Sequence, residues 1–292
     1  MDETIIEIES TNPFYLRNLR PKMTLPTNFQ FSQASLADYV DCPRRFQLRY
    51  LLEQEWPAVQ SEPLLERERL AELGRRFHKL IQQHIEGLPV DVLTRSLSEA
   101  ELIRWWQSYL IGLDTTLLDL PADRRAEAAL SIPLAGYRLT AHFDLIAANI
   151  DRVVIVDWKT ERRKPTRGQL LNRMQTRAYR YVLTEAQHRP PGTVSMIYWF
   201  AEFPDQPEVL PYDASQHAAD HQFLTELISE IQNRALQDDT EWDLTPNERK
   251  CDFCAYRSLC NRGISAGVIE PDGDDLDREF EIKLEAIDEI EY

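Results

Sequence analysis

The chain has 292 residues, 43% of them hydrophobic and 10% aromatic, with a formal net charge of −16. That length can bury a substantial core in one large domain or two small ones, and no apolar run approaches the roughly 20 residues that a membrane-spanning helix needs. The acidic start MDETIIEIES is unlike a secretory leader, so a cytoplasmic, reducing setting is expected, where disulfides are not the favoured use of cysteine.

In chain order, residues 1–30 read as an acidic extension and residues 31–125 as a helical region. SQASLADYVDCPRRFQLRYLL (32–52) is predicted to be helical, with Ser32 as N-cap, Pro43 opening a second segment and Cys42 at the join. EPLLERERLAELGRRFHKLIQQHI (62–85) is one long helix with an apolar stripe of Leu73, Phe77, Leu80 and Ile81. His78 follows Gly74 by one turn, and Gly74 clears space there. Taken alone, such a histidine is as well explained by packing. Ser98 and Glu101 have the spacing of a capping box opening a third helix. Its Trp105, Trp106 and Tyr109 suit a core better than base stacking.

Residues 126–240 change character. AALSIPL (128–134), YRLTAHFDLIA (137–147) and RVVIVDWKT (152–160) are predicted strands. A two-residue turn at Asn149–Ile150 would set Asp144 opposite Ile155 and Asp157 diagonal to Asp144, roughly 7–8 Å away on one face, with Lys159 beside them. VVIVD reads as a strand buried on both faces, where an aspartate must meet a cation or take up a proton. A hard divalent ion suits two carboxylates, and a structural Asp157–Lys159 pair is the alternative. The next predicted helix, 168–187, lies in a strip from Lys159 to Arg180 that holds eight bases and one acid, a local +7. Such a strip suits phosphate binding, and a solvated helix face is the plainer reading. Gln175 and Tyr179, four apart, share one face of that helix. A strand over 193–203 and a helix over 214–236 complete an α/β pattern, a mixed sheet flanked by helices.

Residues 241–264 carry CDFCAYRSLC, with Cys251, Cys254 and Cys260; Cys42 is the chain's remaining cysteine. Four thiolates suit an iron–sulfur cluster or structural zinc equally on ligand grounds. Either would clip the N-terminal helical region to the C-terminal segment across a loop of roughly 210 residues. Residues 265–292 are an acidic tail of charge −9 in which Phe280, Ile282 and Leu284 alternate, as an edge strand or a loosely ordered segment would.

Taken in order, FSQASLADYVDCPRRFQLRYLL, GRRFH, HFDLI, VDWKT, QTRAY and CDFCAYRSLC resemble the RecB-type branch of the PD-(D/E)XK nucleases that carries an iron–sulfur cluster. That branch includes CRISPR-associated exonucleases and the nuclease parts of recombination helicase–nucleases. The resemblance covers most of residues 30–262 and implies a restriction-endonuclease-like fold with its core over 126–240. It implies that His78, Asp144, Asp157 and the Trp158 carbonyl hold Mg²⁺ or Mn²⁺, that Lys159 orients the attacking water, and that Glu127 is an auxiliary catalytic acid. Gln175 and Tyr179 match its Q-x-x-x-Y motif for positioning nucleic acid, with Arg173 and Arg177 beside them. Ala141 stands where the family often has glycine. Cys42, Cys251, Cys254 and Cys260 match its ligands of a 4Fe–4S cluster, with zinc as the alternative.

The implied activity is metal-dependent hydrolysis of DNA phosphodiester bonds, as an exonuclease preferring single strands, in DNA repair, recombination or CRISPR-type defence. A helicase or a CRISPR-adaptation protein is the implied partner, and no membrane is involved. G-x-x-x-x-G-K-[ST] is missing from the sequence, so any ATP-driven unwinding falls to a partner. Two rival readings are a non-cleaving nucleic-acid-binding subunit of a helicase–nuclease complex and a zinc-stabilised metabolic hydrolase.

Overall fold

The computed structural model describes residues 24–54, 62–113, 117, 119–237 and 241–263. The expectations for the acidic extension's first 23 residues and for the acidic tail lie outside them. In chain order the elements are β1 (Gln30–Ser32), α1 (Gln33–Asp41), α2 (Pro43–Phe46) with a π-helical turn at Gln47–Leu51, α3 (Glu62–Ile85), α4 (Val90–Arg95) and α5 (Ala100–Leu113). There follow β2 (Asp123–Leu134), β3 (Tyr137–Ala148), β4 (Val153–Lys159), α6 (Arg167–Asn172), α7 (Met174–Ala186), β5 (Val194–Phe200), β6 (Glu208–Pro211) and α8 (Ala214–Gln237).

The sheet is mixed, in the order β1-β3-β4-β5-β6, with β2 on the other edge of β3. Strands β4 and β5 are parallel, joined through α6 and α7, while β3 runs antiparallel to both β2 and β4. All seven residues of β4 are buried, as an apolar strand covered on both faces requires. Its side chains alternate. Val153 and Ile155 enter a core with α1, α7 and α8, whereas Val154, Val156 and Trp158 enter a second core with α3 and α5. Trp105, Trp106 and Tyr109 are fully committed to the second core, so stacking on bases is not open to them.

Local chemistry explains the element ends. Ser32 caps α1, accepting from the Ser35 amide at 3.2 Å, while Ser35 Oγ accepts from the Ser32 amide at 2.9 Å. Pro43 opens α2 where its missing N–H costs nothing. The box expected at Ser98 and Glu101 does not form: Glu101 takes Arg69 at 2.8 Å, and Ser98 donates to Glu99. The helix expected over 168–187 breaks at Arg173, whose backbone is extended. There the Leu170 carbonyl accepts from the Arg173 amide at 3.2 Å and from Thr176 Oγ1 at 2.6 Å, which ties the two helices across the break. The short elements β1, β6 and α4 carry too few residues to show a period in the sequence.

The β3–β4 link corrects the expected register. Asn149 Oδ1 accepts from the amides of Asp151 and Arg152 at 3.0 and 2.8 Å, and the Asn149 amide donates to the Arg152 carbonyl at 3.0 Å. This Asx turn needs four residues rather than two. Leu145 therefore pairs with Val156 and Ile146 with Ile155. One further step would set Asp144 opposite Asp157, not opposite Ile155, but the ladder ends before it.

On the side of β3 away from β2, β1 occupies Arg138–Thr140 and β4 occupies Leu145–Ala148. Residues 141–144 lie between them. Toward β2, Ala126 pairs with Leu145 and Ala128 with Phe143, leaving out Glu127 and Asp144. Glu127 sits at φ 49, in the left-handed region, among ordinary strand residues. Phe143 and Ile146 both enter the first core while Leu145 enters the second, so the alternation of β3 slips at Asp144. The sheet is loosened on both sides of one aspartate.

Candidate active site

At this loosened step, donor atoms of His78, Glu127 and Asp144 lie within 4.8 Å of one another. Helix α3 supplies the histidine, β2 the glutamate and β3 the aspartate. His78 Nδ1 is 3.3 Å from Asp144 Oδ1, and each side chain keeps 16% exposure. Asp144 Oδ2 accepts from the Trp158 amide at 2.8 Å, which draws its carboxylate across the end of β4. Burial alone would raise the Asp144 carboxyl. His78, Lys159 and the Trp158 amide outweigh burial and hold it below the ordinary value. Glu127 is exposed, yet desolvation by its neighbours and then the Asp144 charge push its carboxyl up.

An imidazole and two carboxylates, one strained by the other's charge, form a donor set that fits a divalent cation. Glu127→Gln removes that repulsion. In thermal melts at neutral pH without metal, the variant should melt higher than the parent, because a raised carboxyl destabilises the fold once ionised. The difference should vanish in acid, where Glu127 is protonated. The stabilisation given by added Mn²⁺ should shrink.

Asp157 stands outside the trio. Alternation along β4 turns Asp157 and Lys159 toward α7, where Lys159 Nζ is 2.9 Å from Asp157 Oδ2 and Gln175 Nε2 donates to Asp157 Oδ1 at 2.7 Å. The single face expected for Asp144, Asp157 and Lys159 is thus replaced by two groups that meet at the Trp158 peptide. Gln175, expected to touch nucleic acid, is buried and holds Asp157. Tyr179 is buried too, its ring 4.9 Å from that of Phe143.

Tyr198 was not singled out in the sequence. Its hydroxyl lies 2.7 Å from Thr176 Oγ1 and donates to Gln175 Oε1 at 3.4 Å, and its ring centroid is 5.7 Å from Lys159 Nζ. Burial and then the Asp157 charge raise its phenol. Only the parallel register, which sets Tyr198 beside Asp157, marks it.

The basic strip is largely neutralised by acids of the same chain, most of them beyond the strip. Arg173 pairs with Glu161 at 2.7 Å, Arg177 with Asp220 at 2.6 Å, and Lys164 with Glu208 at 2.7 Å. Arg180 is buried, donating to the Thr176 and Pro211 carbonyls. Among the strip's bases, Arg162 and Arg167 keep 56% and 50% exposure, on the loop after β4 and at the start of α6.

The four cysteines form no disulfide with one another. Burial and then the neighbouring Cys254 push the Cys260 thiol up to about 11, with Cys42 and Cys251 adding to the rise. Burial also raises Cys251, with Cys254 and Cys42 adding to it. Cys251 and Cys260 therefore sit in the field of Cys254 and Cys42. The segment is also tied back without them: the Trp242 amide donates to Gln47 Oε1 at 2.9 Å, the Arg44 amide donates to the Asp243 carbonyl at 3.1 Å, and the Phe46 and Trp242 rings stack at 6.0 Å.

A family model for the PD-(D/E)XK nuclease superfamily matches residues 30–261. The crystal structure of a provisionally named exonuclease from Eubacterium rectale superposes with a TM-score of 0.50 at 11% identity, over 90% of this chain and 97% of that one. At that identity the likeness shows the fold. SSO0001 gives a TM-score of 0.35 at 13% identity, over 85% of this chain and 90% of that one, and carries no argument. None of the curated proteins compared with the chain matches it.

Proposed function

The chain belongs to the PD-(D/E)XK nuclease superfamily, and on that premise we propose that it is a metal-dependent exonuclease that hydrolyses phosphodiester bonds of single-stranded DNA. The observation that carries this reading is the His78–Glu127–Asp144 trio beside a buried lysine–aspartate pair. In the proposal the trio holds Mg²⁺ or Mn²⁺, with Asp157 and the Trp158 carbonyl at the same strand end. A bound ion of that kind lowers the pKa of water and polarises a phosphate. Asp157 and Gln175 fix Lys159, whose ammonium orients the nucleophile and offsets developing negative charge. Arg162, Arg163 and Arg167, the exposed bases of the strip, follow the backbone of the strand, and binding weakens steeply with salt. A helicase or CRISPR-adaptation partner, in repair, recombination or defence, belongs to the same proposal.

The cysteine site is proposed to hold a 4Fe–4S cluster. Tetrahedral zinc with bonds near 2.3 Å needs sulfurs about 3.8 Å apart. Among the described residues, the one group of three or more His, Cys, Asp or Glu donors within 4.8 Å of one another is the trio, and it contains no cysteine. Cysteines that come together in the fold without three sulfurs inside 4.8 Å of one another suit a multi-iron core better than a single zinc.

Purified protein with Mn²⁺ and end-labelled single strands should release nucleotides, and His78→Ala should do so about 10²-fold more slowly, the order of one lost metal-site contact. Equal rates in the two proteins would exclude the mechanism.

A further inference from the structure

Arg67, near the start of α3, is buried at 9% exposure. Its guanidinium carbon lies 4.7 Å from the centroid of the Phe253 ring, and Phe253 stands between Cys251 and Cys254. His78 follows Arg67 by eleven residues, about three turns, which brings the two side chains to within about 20° of each other around the helix. Ala71 and Gly74, on the same line, are buried. The apolar stripe of Leu73, Phe77, Leu80 and Ile81 lies on another side of α3 and seats it on the second core. The ion pairs from Arg69 to Glu101 in α5 and from Arg76 to Glu99 just before it are part-exposed and hold the rotation of α3 only weakly. A desolvated guanidinium over a ring is the firmer contact on that flank.

We propose that Arg67, seated on Phe253, is a positioning residue for His78. The pair sets the rotation and height of α3, so that order in the Cys251–Cys260 segment is coupled to ion binding at His78, Glu127 and Asp144. The inference rests on the proposed ion site and adds its regulation. Such a coupling is reciprocal: whatever orders the cysteine segment tightens the ion site, and ion binding protects the segment.

The test uses the full-length, iron-loaded protein and reads Mn²⁺ binding by electron paramagnetic resonance, with iron content and thermal melting as controls. Phe253→Leu keeps an apolar side chain without a π face. It should retain its iron and bind Mn²⁺ about two- to thirtyfold more weakly, the range a single cation–π contact spans. Arg67→Met, which alters no residue of the cysteine segment, should do the same. Stripping iron from the parent should weaken Mn²⁺ binding by a similar factor, with no further loss in Phe253→Leu. Parental Mn²⁺ affinity in both variants would overturn the proposal, as would an equal loss on iron removal in parent and variant. His78→Ala separates the two readings: if it binds Mn²⁺ like the parent, the ion site itself is misassigned.

Discussion

Lys159→Met is expected to slow cleavage by about 10²-fold or more and to lower stability by roughly 3–5 kcal/mol. Both side chains of the Lys159–Asp157 pair are almost fully buried, at 1% and 2% exposure. Removing the amine leaves a desolvated carboxylate whose charge is no longer offset. The double variant Asp157→Asn/Lys159→Met removes both charges. Buried pairs replaced together are often close to neutral for stability, so most of the loss should return while cleavage stays low. Urea unfolding reads the first quantity and release from end-labelled DNA the second. A double variant no more stable than the single one would show that the two residues do not act as a unit. Parental cleavage by Lys159→Met would remove the lysine from the chemistry.

If the proposed cluster is present, Cys42→Ser should release its iron and lower the melting temperature on the order of 10 °C. Cross-linking positions 42 and 251 closes a loop of about 210 residues, worth about 5 kcal/mol by loop entropy. In a chain of this size each kcal/mol moves the midpoint by roughly 2–4 °C. The fall should come at the low end of that product, because Gln47 and Trp242 close nearly the same loop without metal. Calorimetry with iron and sulfide analysis measures both effects. One zinc per chain and no iron in the parent would sink the iron–sulfur assignment.

Much of this architecture was legible because β4 is short, continuous and apolar, and because Asp144, Asp157 and Lys159 are out of place in such strands. The capping residue Ser32 and the stripe on α3 were equally plain, since both depend on neighbours within a few positions. What could not be read depends on partners far along the chain. The acids that neutralise the basic strip, Glu208 and Asp220, lie well beyond it. Tyr198 acquires its place only from the parallel register with β4. The facing of Asp144 depends on the slip beside a left-handed Glu127, a conformation that glutamate does not announce; the Asx turn at Asn149 is of a kind asparagine favours, but its length is not written in the residue. The corrected turn alone would leave both aspartates on one face, because it moves the register by two; the slip in alternation at Asp144 is what parts them.

The stacking of Trp242 on Phe46 has a consequence for synthesis. At about 5–20 residues per second, the ribosome needs on the order of 10–40 seconds to travel from residue 42 to residue 251. Through that interval the first thiol waits without its companions, and the aromatic cluster around Phe46 lacks its last ring. Loading of the proposed cluster would therefore come near the end of translation or after it, and a nascent chain stalled before Trp242 lacks the ring that closes this aromatic cluster.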